Sequence, residues 1–117
     1  MIAGMASAAS GIQAGGRMLN VGGHNIANAQ TESFKRTRAL PEESPAGAGV
    51  RITLQTDERP SSPLLSSEHS FNPQEGSNVD LGEELISHLQ AVNLIEANMA
   101  SMRIQEKFLG SILDITE

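Results

Sequence analysis

The run Leu81-Gly82-Glu83-Glu84-Leu85-Ile86-Ser87-His88-Leu89-Gln90-Ala91-Val92-Asn93-Leu94-Ile95-Glu96-Ala97-Asn98-Met99 holds no proline and spaces its apolar residues by alternating steps of four and three. Starting at Leu81, Leu85, His88, Val92, Ile95 and Met99, the series continues through Met102, Glu106, Leu109 and Leu113, and only His88 and Glu106 in it are polar. That is the repeat of a coiled-coil seam. A second stripe of Ile104, Phe108, Ile112 and Ile115 widens the face toward the end. Asn78 or Asp80 can cap the start, Glu83 and Glu84 suit the positive end of the helix dipole, and Asp80 with Glu83 has capping-box spacing. The spacing predicts one long helix within residues 77–117.

The opposite end carries a weaker version of the same signal. Ile2, Met5, Ala9, Ile12, Gly16, Leu19, Gly23 and Ile26 again alternate three and four, with large and small residues mixed. An ordinary amphipathic helix would look similar. The glycines favour packing: Gly11, Gly15, Gly16, Gly22 and Gly23 each cost roughly 0.8–1 kcal/mol relative to alanine inside a helix. Small seam residues allow a second backbone to approach closely, so the helix is expected to order when packed.

Between the two lies a segment, residues 38–76, that contains all five prolines: Pro41, Pro45, Pro60, Pro63 and Pro73. Val50, Ile52 and Leu54 alternate with Arg51, Thr53 and Gln55, the pattern of a half-buried strand. Its partner is expected near Leu64–Leu65 or on a neighbouring molecule, and 41–49 and 55–76 are expected to be loops. The fold class is therefore mainly α, with the terminal helices paired as an antiparallel coiled-coil-like hairpin around a loop-rich middle that has a short strand or hairpin.

Composition narrows the function classes. The formal charge of −6 argues against nucleic-acid binding, which draws on neutralising phosphates. Residues 1–40 set four cations (Arg17, Lys35, Arg36, Arg38) against one acid, Glu32, so the acidity lies beyond them. There is no cysteine, hence no disulfide or thiol chemistry. Residues 1–16 lack the basic start and continuous apolar core of a cleaved signal, and no apolar run is long enough to span a membrane. Phe34, Phe71 and Phe108 are the only aromatics, which limits the core this chain can build alone.

No catalytic or metal constellation stands out. His24, His69 and His88 have no helical partner at ligand spacing, and Glu84–His88 reads as a surface ion pair. The acid pairs Glu42–Glu43, Asp57–Glu58 and Glu83–Glu84 read as solvated charge. The glycine doublets follow no strand and precede no Gly-Lys-Ser/Thr, so they read as helix-packing positions, not a phosphate loop. The basic cluster from Phe34 to Arg38 reads as a loop after a helix C-terminus. Neither a cofactor nor a small-molecule substrate is expected.

Two motifs do stand out. Asn25-Ile26-Ala27-Asn28, then Thr31, then Phe34-Lys35 resemble, at the family's spacing, the N-N-I-A-N-x-x-T-P-G-F-K signature of the flagellar rod and hook proteins. Ser77-Asn78-Val79-Asp80-Leu81-Gly82-Glu83-Glu84-Leu85-Ile86 resembles that family's second signature, S-N-V-D-L-x-x-E-M. It is followed by Glu96-Ala97-Asn98 in place of Y-x-A-N and by a closing Leu109-Gly110-Ser111-Ile112-Leu113-Asp114-Ile115. The resemblance covers residues 1–37 and 77–117. Its physical reading is a helix stopped by asparagines that tolerate the left-handed conformation, a turn bonded by Thr31, and Phe34 folded back as an anchor. Two departures are plain: Glu32-Ser33 stands where the family has Pro-Gly, and Ile95 where it has tyrosine.

The short length is nearest the proximal rod proteins of the FlgC type. The resemblance implies a structural subunit of the flagellar basal-body rod, exported by the flagellar type III apparatus without a cleaved signal. It would assemble in the periplasm with itself and other rod proteins, and would not insert into a membrane. The self-assembly residues would be Ile2, Met5, Ile12, Leu19 and Ile26 on one helix and Leu85, Val92, Ile95, Met99, Met102, Leu109 and Leu113 on the other. The rival reading is a diverged binding module that keeps the axial-protein helices but escorts or regulates export substrates. A needle or inner-rod subunit of a virulence secretion system would share the polymer logic without these two motifs.

Overall fold

The computed structural model describes residues 2–45, 49–61 and 75–114. Two long helices, α1 (Ile2–Ala27) and α2 (Leu81–Asp114), flank two strands, β1 (Thr37–Glu43) and β2 (Val50–Thr56). The fold is mainly α, as the periodicity predicts. The expected strand partner at Leu64–Leu65, together with His69, Phe71, Pro63, Pro73 and Ile115, lies outside the described residues.

The helices run antiparallel. Gly4 of α1 lies against Gln105 of α2, Gly11 against Asn98, Gly15 against Ile95 and Gly22 against Glu84. These glycines, with Ala8, Met18 and Asn25, form a heptad stripe, and the facing stripe on α2 runs through Glu84, Ala91, Asn98, Met102 and Gln105. At Gly11 and Gly15 an added Cβ would stand 2.5 Å from Asn98 Nδ2 and from Ile95 Cγ1. Only glycine permits that approach. On α1 the contact therefore lies one residue short of the expected seam, because small residues let the backbones close further than Ile12 and Leu19 would allow; on α2 it passes through the expected Ile95 as well as beside Ala91 and Asn98.

β2 does have a partner, and it is β1: Thr37 pairs with Thr56, Leu40 with Thr53 and Glu43 with Val50 in an antiparallel ladder. Thr37 and Arg38, expected in a loop, begin this strand. Pro41 lies within β1 opposite Ile52; β1 has β2 on one side only, and a two-stranded sheet is all edge, where proline is tolerated. The strands lie along α1, where the Ser10 hydroxyl donates to Ser7 O (2.7 Å) and accepts from Val50 N–H (3.0 Å), with Gly49 in left-handed conformation (φ 100°) directly over Ser10.

Among the described residues the buried apolar core is only Ala8, Ala14 and Ala91. The radius of gyration is 20.5 Å and the extents are 81 × 24 × 14 Å, whereas a compact chain of this length would have a radius of about 13 Å. No described helix is long and apolar enough to cross a membrane.

Candidate assembly interface

The interface begins with how the two motif-bearing ends are locked together. Asn25, on the last turn of α1, is 1% exposed. Its Nδ2 donates to Thr37 O (2.7 Å) and to Glu84 Oε1 (3.1 Å), and its Oδ1 accepts from Thr37 N–H (3.0 Å). Arg36 sits between the two acids of the α2 first turn: its Nε is 2.5 Å from Glu84 Oε1 and its Nη1 pairs with Glu83. Asn25, Arg36 and Glu84 are all buried, so α1, the start of β1 and the start of α2 meet in one enclosed polar junction.

Three expectations fail here. Glu84 is not a surface partner of His88 but the buried centre of the junction, so of the pair Glu83–Glu84 only Glu83 stays exposed. Asp80 alone caps α2, its Oδ1 accepting from Gly82 and Glu83 N–H (2.7 and 3.1 Å), while Glu83 turns to Arg36 and completes no capping box. Asn78 does different work. It accepts from Arg36 N–H (2.6 Å) and donates to Asp57 O and Arg59 O, tying the chain after β2 to the α2 start.

The turn between α1 and β1 is held locally. Thr31 Oγ1 donates to Asn28 Oδ1 (3.2 Å), Phe34 stacks edge-on against His24 at 5.5 Å, and Lys35 Nζ reaches Glu75 Oε1 at 2.5 Å. The left-handed residue is Ser33 (φ 56°), not an asparagine. It occupies the position of glycine in the family signature, so this chain adopts a glycine conformation with a serine.

Beside the junction, Asp57 is anchored by Arg59 (2.6 Å) and Arg38 (3.0 Å). The Arg59 guanidinium bonded to it holds its carboxyl far below the usual range. Glu75 is lowered chiefly by its bond to Lys35, and Glu42 by its bonds to Thr53 and Arg51.

The predicted assembly residues fall into two sets. Ile95 and Met102 sit in or at the seam, and Leu109 is half-buried beyond it. Met5, Ile12 and Leu19 are half-buried along one edge of the seam, while Ile2 (85%) and Ile26 (43%) are exposed. On α2, Val92 is half-buried, and Leu81, Leu85, Met99 and Leu113 are exposed. Each edge residue lies one step past a seam position: 5 after 4, 12 after 11, 19 after 18, 85 after 84, 92 after 91, 99 after 98. Because the helices are antiparallel, that one step rotates both toward the same side of the pair. Met5, Ile12, Leu19, Leu85, Val92 and Met99 thus share one face, and the strands cover the opposite one, where Ser7 and Ser10 lie. Gly16 and Gly23 point into open space on that shared face, with no described atom within 4 Å of an added Cβ, so they do not pack against the described residues.

Of the motif residues, Ala27, Glu96 and Ala97 are exposed, and Asn98 bonds Leu94 O (2.8 Å) beneath Gly11. The sequence does not single out Arg36 or Glu84, because each stands beside a like charge, Lys35 and Glu83, in a cluster that reads as solvated. Among the described residues, no group of three His, Asp or Glu is placed to hold a metal. In comparisons with known proteins, no family model matches the chain and no curated protein matches it.

Proposed function

We propose that this chain is a structural subunit of the bacterial flagellar basal-body rod, polymerising through its terminal helices with itself and other rod proteins. The observation that carries the reading is that the two motif-bearing ends form a helical hairpin with one apolar face left uncovered by the described residues. A compact protein of 12.4 kDa would expose about 6,100 Å²; this one exposes 8330 Å². A chain with so much open surface, and with Leu85, Leu89, Met99 and Leu113 of α2 exposed in it, is suited to bury it against neighbours, and head-to-tail contacts that do not close build a filament. Export through the flagellar type III apparatus belongs to the same proposal, and a core of three alanines is consistent with a chain that must travel unfolded.

The test is a tagged copy probed in isolated hook–basal bodies, with cytoplasm as control. Its presence in the basal body, with rod loss on deletion, is the expected result. A purely cytoplasmic protein, with basal bodies complete in its absence, would move the assignment to a binding module that escorts export substrates.

A further inference from the structure

We infer that the free protein pairs with a second copy of itself, antiparallel, through the uncovered face of α1. This goes beyond the rod reading: a two-fold pair has no polarity and cannot be a link in a polar filament, so it describes the chain before assembly.

The argument starts from size. Along the open stripe, Ala9, Gly16 and Gly23 alternate with Ile12, Leu19 and Ile26. Turn a second α1 end for end about a point between Arg17 and Met18, and Ala9 faces Ile26, Ile12 faces Gly23, and Gly16 faces Leu19. Every layer then holds one large and one small side chain. A parallel pair in register would set Gly16 on Gly16 and Gly23 on Gly23, and voids of that kind are destabilising. Self-complementarity of residue i with j and j with i is what a two-fold interface requires.

The structure adds that these positions are available. Among the described residues nothing lies within 4 Å of a Cβ at Gly16 or Gly23, whereas the spaces at the seam glycines Gly11 and Gly15 are filled by α2. No charged residue lies on the α1 stripe itself. Area also suffices. The paired length of the hairpin is about 32 Å and two helices span about 20 Å, so face-to-face packing would bury roughly 650 Å² per copy, near 1,300 Å² in total and within the range of specific complexes.

The chain has no cysteine, so cross-linking is clean. In the purified full-length protein under oxidising conditions, the double variant Ile12→Cys with Gly23→Cys should form a closed covalent dimer and no longer ladder. Either substitution alone should stay uncross-linked. Cross-linking of Ile12→Cys alone would show a parallel pair and overturn the proposal. Sedimentation supplies the second arm. The native chain should dimerise, and Gly16→Leu should weaken the dimer at least tenfold without lowering the melting temperature at concentrations where both chains are monomeric, because its side chain enters open space in the monomer. A native chain that stays monomeric at its highest soluble concentration, or a Gly16→Leu variant that dimerises equally well, also overturns it. Both arms use purified protein, so their failure would leave the basal-body test of the rod reading untouched.

Discussion

Ile95 Cγ1 lies 2.5 Å from where a Cβ on Gly15 would stand, so α1 and α2 meet through a gap that only glycine leaves open. Gly15→Ala should therefore destabilise the protein by about 1–3 kcal/mol despite alanine's better helix propensity, since overpacking outweighs it. Gly16→Ala, one residue away in open space, should stabilise by about 0.5–1 kcal/mol. Urea unfolding of the two variants checks the sign of each; equal effects would mean that the seam is not where the glycines place it.

The buried junction makes a second prediction. Glu84→Ala leaves Arg36 enclosed with only the more exposed Glu83 for charge compensation, and breaking such a pair costs about 3–5 kcal/mol. Arg36→Ala should cost a similar amount, and the double variant less than the sum of the two. A double-mutant cycle by thermal unfolding measures this coupling; additive losses would contradict it.

Ser33 holds a left-handed conformation (φ 56°). That conformation costs a non-glycine residue roughly 1–2 kcal/mol. Ser33→Gly should recover most of this, less the extra freedom glycine has when unfolded, for a net gain of about 0.5–1 kcal/mol. A lower unfolding midpoint for the variant would contradict the turn geometry.

Acid should destabilise the fold through Asp57, Glu75 and Glu42, all lowered from ordinary values of 3.8 for Asp57 and 4.5 for the two glutamates. Groups with depressed folded values bind more protons when unfolded, so their contribution is complete above about pH 5 and falls as pH drops below it. Asp57→Asn should flatten that decline more than Glu42→Gln does. Chemical denaturation between pH 7 and pH 3 gives the comparison.

Assembly and folding should separate by position. Ile95→Asp, at the seam, should lower stability and incorporation into the rod together. Leu85→Asp lies on an exposed position and should leave thermal stability nearly unchanged, within about 0.5 kcal/mol, while reducing incorporation. Basal-body fractionation beside a melting curve distinguishes the two; full incorporation of Leu85→Asp would remove that residue from the interface.

The paired helices were legible in the sequence because a heptad repeat fixes both period and direction of burial, and α2 spans it from Leu81 to Leu113. On α1 the contact face differs from the expected one by one residue, whereas on α2 Ile95 lies in the contact as its spacing predicts. Hydrophobic size points to Ile12 and Leu19, but the closest packing belongs to Gly11 and Gly15, which transfer scales rank as poor core residues. β1 was hidden because Pro41 and the cations of Phe34–Arg38 resemble a loop, and an edge strand tolerates both. Arg36 and Glu84 read as surface charge because sequence alone does not show that three segments converge on them.

α1 carries two overlapping heptad stripes, one through Gly4, Gly11 and Gly22 and another displaced by a single residue through Met5, Ile12 and Gly23. A cylinder so marked has two ways to lie on a partner, separated by a roll of about 100°. Asn25 belongs to only one of them. Its bonds to Thr37 and Glu84 act as a key that lets the helix seat in one rotational setting, and a chain without that key would be free to turn its open face inward.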